Sequence, residues 1–392
     1  MKTTWTALGG VTILAATLSL TACGGGGGSG SGSDLTTSGS GGAQPLAVVD
    51  VKTETLAAGS GYSLGLNAAG QIQSWGATAG SQPTSTGWKS VGAASWASSQ
   101  HASWAIDSSG NLVVWGMDAA GVMHDQPVQL TGLGTVAAAR ACGEGKGALL
   151  LALGTDGVVR ALSAANLSDT AKGITVSGLG EIHALSDGMD TSCASVLAID
   201  KNGSVSQLKV QSSDAKGVPT ALAGVAVSGL SDVVQASCAQ DNCLALTSTG
   251  TVYGWGSNAK GQLGDTTLDP LSVPNVVDMS FVGSPKIQGV LMTQAGAAYA
   301  IGENGALYGW GAVDGLKVLT SLGYPGTVPT LLMGAGAGVS KIAVSPDTTP
   351  HTLVLAGDGS VFGWGRNADA EVRAPASATA LFALTPTDVV LK

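Results

Sequence analysis

Gly61-Tyr62-Ser63-Leu64-Gly65 has the spacing of a serine nucleophile. An activated serine of that kind needs a strand, a sharp turn and a helix, so that its hydroxyl stands clear of the backbone. Here Leu64 and Leu66 alternate as core positions and no helical pattern follows, so the stretch reads as a strand. Gly143-Glu144-Gly145-Lys146-Gly147 has the glycines and lysine of a phosphate loop, but no Ser or Thr follows Lys146 and the upstream glycine spacing is wrong. It reads as a lengthened hairpin loop. His101, His124, His183 and His351 have no His or Cys partner three or four residues away, so no metal knuckle is expected. Asp187, Asp190 and Asp214 lie in loop-like stretches without the run of a calcium loop. Carboxylates show no recurrent pairing of the kind sugar hydrolysis uses. The chain is therefore expected to be no enzyme and to hold no cofactor and no metal.

What would position such residues is legible in a repeat. Gly70, Gly110, Gly157, Gly203, Gly250, Gly305 and Gly359 recur at intervals of about 40–55 residues. Six residues before each stand Leu64, Trp104, Leu151, Leu197, Leu244, Tyr299 and Leu353, and four before stand Leu66, Ile106, Leu153, Ile199, Leu246, Ile301 and Leu355. Two residues after come Ile72, Leu112, Val159, Val205, Val252, Leu307 and Val361. Apolar residues two apart on both sides of a turn describe antiparallel strands with one buried face. The small residues Gly65, Ala105, Ala152, Ala198, Ala245 and Ala300, with Val354, lie between the first two positions and predict a close neighbouring sheet. Pairs such as Asn-Gly and Asp-Gly at the turn predict a two-residue type I′ hairpin.

Five residues after the glycine come Trp75, Trp115, Trp255, Trp310 and Trp364, each followed by Gly, with Leu162 and Leu208 in the third and fourth copies. A ring at one place in each sheet predicts packing against the next sheet, with the glycine relieving backbone crowding. Composition agrees: 60 of 392 residues are Gly and only 11% are charged, too few for the wet faces of long amphipathic helices. Seven sheets of this size close most economically as an all-β, seven-bladed propeller of four-stranded antiparallel blades over residues 45–392. The apolar ends Leu46–Val51 and Val389–Leu391 predict one blade shared between the two termini.

The stretch Leu244–Gly264, LALTSTGTVYGWGSNAKGQLG, resembles a repeat of the regulator of chromosome condensation family. The resemblance extends over all seven copies. It is strong in the fifth and good in the first, second, sixth and seventh; the third and fourth lack Trp-Gly. Only copy five ends in Gly261-Gln262-Leu263-Gly264, and copy seven keeps Arg366-Asn367 after its Trp-Gly. The resemblance implies a seven-bladed propeller that works by binding. The founder's nucleotide exchange on a nuclear GTPase does not suit a chain that reads as exported.

Export is read from residues 1–22, which have a lysine, an apolar run and small residues before Cys23. Leu20-Thr21-Ala22-Cys23 resembles the lipobox of bacterial lipoproteins, in which Cys23 becomes the acylated first residue; an ordinary signal peptide is the alternative. Residues 23–44 then form a lipidated cysteine and a Gly/Ser-rich tether. Gly24 rather than Asp after the cysteine implies the outer membrane by resemblance to enterobacterial sorting. Removing Lys2 with the leader from a chain of 17 basic and 26 acidic residues makes the net charge of −9 one unit more negative. That argues against nucleic acid as a partner.

Four cysteines remain. Cys238 and Cys243 bracket a four-residue hairpin loop and can bridge. Cys142, at a strand end of blade three, and Cys193, near a hairpin tip of blade four, form a second candidate pair, with free buried thiols as the alternative. The reading is a membrane-anchored, protein-binding scaffold of the bacterial cell envelope, its partner another envelope or extracellular protein. Trp88, His124 and Tyr324 in connectors and His101 near a hairpin tip are candidate partner-surface residues. The alternative is an envelope enzyme or glycan binder using the central channel.

Overall fold

The computed structural model describes residues 55–77, 81–97, 100–187, 193–313, 326–346, 350–372 and, for the backbone, 382–390. They fall in one compact unit, Pro45–Lys392. Leu46–Val51, Cys23, the tether and Tyr324 lie outside the described residues.

The chain folds as seven antiparallel sheets in sequence order. Blade one has strands Leu56–Gly59, Tyr62–Leu66 and Ile72–Gly76. Blades two to seven, residues 88–129, 136–175, 182–226, 233–276, 287–333 and 339–390, have four strands each. The first strands of blades one to six lie beside one another in turn, the first strand of blade seven meets the second strand of blade six, and blade one meets blade seven to close the ring. Among the described residues, Phe382–Val390 pairs with Ser360–Arg366 as the fourth strand of blade seven, and the segment Leu46–Val51 expected to share a blade with the carboxy-terminal strand lies outside them.

Strand alternation gives the ring two distinct faces. The repeat glycines and the blade-to-blade connectors lie at one, here called the glycine face. Turns between first and second strands, and connectors between third and fourth, lie at the other. Both disulfides are there, so it is called the cysteine face.

On the glycine face the structure explains the repeat and corrects the turn. Gly70 N–H donates to Asn67 O while Asn67 N–H donates to Gln71 O, and the same pattern recurs at Asp107–Asn111 and Asp200–Ser204. Positive φ is confined to the glycine, not shared with the residue before it. The turn is therefore type I closed by a left-handed glycine, a longer loop than type I′. Asn67 Oδ1 accepts from Ala69 and Gln71 N–H, and Asp107 and Asp200 repeat this. The signal overlooked in the sequence is the Asn, Asp or Thr three residues before the glycine in four of the seven copies, Asn67, Asp107, Asp200 and Thr247.

These glycines also join blades. The N–H groups of Trp88, Val136, Ile182, Val233 and Val339, each opening or leading a new blade, donate to the carbonyls of Gly70, Gly110, Gly157, Gly203 and Gly305 of the preceding one, at 2.8–3.1 Å. A Cβ on Gly203 would stand 2.6 Å from Asp232 Cα. Left-handed backbone and close approach thus both require glycine.

The second strand of each blade is buried on both sides. Ala105, Ala152, Ala198, Ala245, Ala300 and Val354 are all fully buried between sheets. The repeat tryptophans pack on the preceding blade, not the following one. Trp115 lies with Tyr62, Leu64 and Ile72 of blade one, Trp364 with Tyr299 and Leu307 of blade six, and Trp75 with Leu353 and Val361 of blade seven. Leu162 and Leu208 hold the same place toward blades two and three.

Candidate functional site

Ser63 and His351 are brought together, 288 residues apart in sequence, with Ser63 Oγ 2.9 Å from His351 Nε2. Ser63 Oγ donates its proton to the Glu371 carbonyl at 3.0 Å. The imidazole must then donate through Nε2–H, which is the reverse of a nucleophile and its base. Both side chains are fully buried at the junction of blades one and seven. This pair is a structural bolt. Burial, then the charge of Arg366, holds the His351 pKa down at about 3, so the ring is neutral.

The polar groups on the first strands are likewise committed to joining blades. Arg140 of blade three is buried and pairs with Asp187 after the first strand of blade four. Its Nε donates to Ser186 O at 3.2 Å and its Nη1 to Ala139 O at 2.8 Å. Asp187 Oδ2 accepts from Gln235 Nε2 of blade five at 2.9 Å, and Gln235 Oε1 accepts from Val290 N–H of blade six at 3.0 Å. A chain of bonds thus crosses four first strands. A buried guanidinium satisfied in this way is scaffolding rather than a ligand clamp.

The remaining feature is the cysteine face, where six of the seven junctions are fastened by a specific link among the described residues. Tyr62 Oη of blade one donates to Ala102 O of blade two at 2.9 Å. Ala119 N–H of blade two donates to Ala164 O of blade three at 2.9 Å. The Cys142–Cys193 disulfide joins blades three and four. Ser195 Oγ of blade four bonds to Gln240 O, at the tip of the blade-five hairpin that Cys238–Cys243 closes. Trp310 Nε1 of blade six donates to Gln262 O of blade five at 2.8 Å. Trp75 Nε1 of blade one donates to Glu371 O of blade seven.

The last two links share one loop design. In blade five, Leu263 N–H donates to Asn258 Oδ1 and Lys260 N–H to Gln262 Oε1. In blade seven, Val372 N–H donates to Asn367 Oδ1 and Asp369 N–H to Glu371 Oε2. Asn367, Glu371 and Val372 therefore do what Asn258, Gln262 and Leu263 do. Copy seven keeps far more of the repeat than Arg366-Asn367. Arg366 adds bonds to Glu371 at 2.7 Å and Asp369 at 2.9 Å.

The candidate surface residues separate by face. His101 lies in strand Gln100–Asp107, with Nδ1 3.2 Å from Ser95 Oγ. His124 lies in strand Met123–Gln129, not in a connector, with Nε2 3.3 Å from the buried Asp118. Both stand at the cysteine-face end of blade two, beside exposed Val122 and Met123. Trp88 opens strand Trp88–Ala97 at the glycine face, half-buried against blade one, with its indole N–H buried. Among the described residues no group of three or more His, Cys, Asp or Glu is placed to hold a metal.

The disulfides differ in span, 51 residues against five. Loop-closure entropy assigns about 4 kcal/mol to the longer bridge and about 2 kcal/mol to the shorter. In guanidinium denaturation, Cys142→Ser/Cys193→Ser should lower stability about twice as much as Cys238→Ser/Cys243→Ser. An equal or inverted ranking would show that native-state strain, not chain entropy, governs this face.

Comparison with known proteins agrees with this anatomy. Two profiles described as the regulator of chromosome condensation (RCC1) repeat match residues 233–262 and 249–293, which are blade five and the opening of blade six. The match covers one blade and the start of the next, and the described residues form a seven-bladed β-propeller throughout. Among relatives, the human RCC1-like G exchanging factor-like protein is 34% identical over 134 residues, 34% of this chain and 28% of that protein. The ultraviolet-B receptor UVR8 of Arabidopsis thaliana is 38% identical over 81 residues, 20% of this chain and 17% of that one. The chain thus matches less than a third of the length of either relative. Among solved structures, human WBSCR16 superposes with a TM-score of 0.56 at 16% identity, covering 82% of this chain and 84% of that one. Prp20p of Saccharomyces cerevisiae, described with its binding to Gsp1p and histones, gives 0.56 at 16% identity, over 77% and 76%. These likenesses establish the fold.

Proposed function

We propose that this protein is a non-catalytic scaffold that binds another protein through its cysteine face. In this reading Cys23 carries a lipid anchor, and residues 24–44 tether the propeller at the bacterial envelope, on the outer membrane. The carrying observation is the asymmetry between the faces. The glycine face carries the short repeated hairpin turns, spent on joining blades, and connectors of five to ten residues from blade two onward. The cysteine face carries the loops that differ from blade to blade and fastens the bases of those loops. Variable loops on a fixed base are how rigid folds present binding surfaces. Binding of Gsp1p and histones by Prp20p, a propeller of similar fold, supports a protein as the partner. His101 and His124 stand on the proposed surface. Trp88 stands on the other face.

Photo-cross-linking residues placed at Val122, Lys216 and Asp241 sample the cysteine face, and others at Ser108, Asn202 and Ser248 sample the glycine face. All six sites are exposed. Full-length protein in intact cells should give one discrete adduct from the first set only. Adducts from the second set alone would reverse the face assignment. No adduct from either would remove the protein-binding reading. In the same cells, Cys23→Ser should abolish palmitate incorporation and release the protein from the membrane fraction.

A further inference from the structure

The seven junctions are not equivalent. Blades three and four are tied covalently, and blade five carries its own disulfide beside them. The junction of blades one and seven rests on a small apolar cluster of Leu56, Ala58, Trp75, Leu353, Val361 and Val372, with the His351–Ser63–Glu371 bonds beside it. His351 is fully buried there, and its Nδ1 has no hydrogen-bond partner among the described residues.

We infer that the junction of blades one and seven is an acid-released seam, in which protonation of His351 parts the ring there while the disulfide-tied blades stay joined. Nε2–H is committed to Ser63, whose own proton is committed to Glu371 O, so a second proton on the ring must go to Nδ1. That nitrogen would become a buried donor without an acceptor on a charged ring, a costly state in an apolar setting.

Among the described residues, the surroundings offer an imidazolium no relief. From the third strand of blade seven, Arg366 contributes a like charge. From the loop after it, Glu371 Oε1 is held by Arg366 and Oε2 by Asp369 N–H, and Asp369 Oδ2 is held by Arg366. From blade one, Ser63 bonds to the ring, and Trp75, Leu56 and Ala58 of the adjoining apolar cluster are neutral. From the hairpin of blade seven, Ser345 Oγ accepts the His351 backbone N–H. Neutralising a protonated His351 would require breaking the Arg366 pairs that shape the loop receiving Trp75.

The sign follows from the folded ring being neutral. The unfolded or opened state takes up a proton below the ordinary histidine value of about 6.5, whereas the closed seam does not until about pH 3. Stability of the seam is whole above about pH 6.5 and falls as pH drops through that window, by up to about tenfold in the opening equilibrium per pH unit.

Hydrogen exchange of the full chain between pH 7.5 and 4.5, corrected for intrinsic rates, reads this directly. Peptides covering 62–66 and 351–356 should lose protection as pH falls, while those covering 149–154 and 242–247 keep it. His351→Gln supplies a donor to Ser63 that does not titrate, and should remove the pH dependence at the seam. Should that variant fail to fold, NMR of the wild-type protein with labelled histidine replaces it: protonation of His351 must coincide with the loss of protection. Retained protection at the seam to pH 4.5, the same loss in His351→Gln, or protonation with the seam closed would each overturn the inference.

Discussion

Trp310→Ala should lower the stability of the propeller by about 3–5 kcal/mol, the usual result of emptying a buried tryptophan site. Trp310 is 1% exposed and packs with Leu244, Val252, Val277 and Met292 of blades five and six. Its loss also strips the Gln262 carbonyl of its donor, which costs more than the bond itself contributes when the acceptor stays buried. Trp310→Phe separates the two effects, because it keeps most of the packing and loses only the indole donor; about 1–2 kcal/mol is expected. Trp255 occupies the same register but is only half-buried, so Trp255→Ala should cost less than half as much. Urea denaturation followed by circular dichroism decides the ranking. Equal losses at Trp255 and Trp310 would mean that the register, rather than burial and the bond to Gln262, governs the contribution.

Gly256→Ala should be as damaging, for a different reason. Gly256 follows Trp255 with φ of 107°, and a Cβ there would run into the Asp241 carbonyl at the hairpin of its own blade. Left-handed strain and backbone displacement together predict a loss of about 3–5 kcal/mol. Gly217 is the matched control: its φ is 83°, yet a Cβ would meet nothing within 4 Å. Gly217→Ala should cost about 1 kcal/mol, the strain of the conformation alone. Thermal unfolding of the two variants side by side tests the pair. Similar small losses would show that the blade-five hairpin yields easily, and that the glycine after each tryptophan is required only for its torsion.

The blades were legible because their signals are periodic. Leu64, Leu66 and Ile72, and their counterparts in six other copies, alternate as a half-buried hairpin must, and Trp-Gly marks one register. The turn was misread because Asn-Gly suits two turn types. The residue that separates them, Asp107 or Asn67, lies upstream of the pair. Packing direction was not legible, since a ring on a sheet surface can reach either neighbour. The loop around Glu371 escaped notice for a chemical reason. What the repeat needs there is a side-chain oxygen to accept a backbone N–H, and a backbone carbonyl for the tryptophan; Gln262 and Glu371 both supply these. Arg140, Asp187 and Gln235 could not be joined from sequence, because the partners lie 47 and 48 residues apart and each alone is an isolated polar residue in or just after a strand. The placement of His101 and His124 at one end of blade two is something only the fold provides.

The tryptophans' direction also gives the ring an order of assembly. Each blade from the second onward carries a side chain, Trp115, Leu162, Leu208, Trp255, Trp310 or Trp364, that docks on the blade already synthesised before it. A chain emerging amino-terminus first can therefore add finished sheets one at a time, each covering the exposed flank of the last. Trp75 alone must wait, because its receiver, the Glu371 carbonyl, is among the last parts of the chain to appear. Until then the first blade displays an uncovered indole, and a nascent chain stalled before blade seven would be the species most exposed to chaperones.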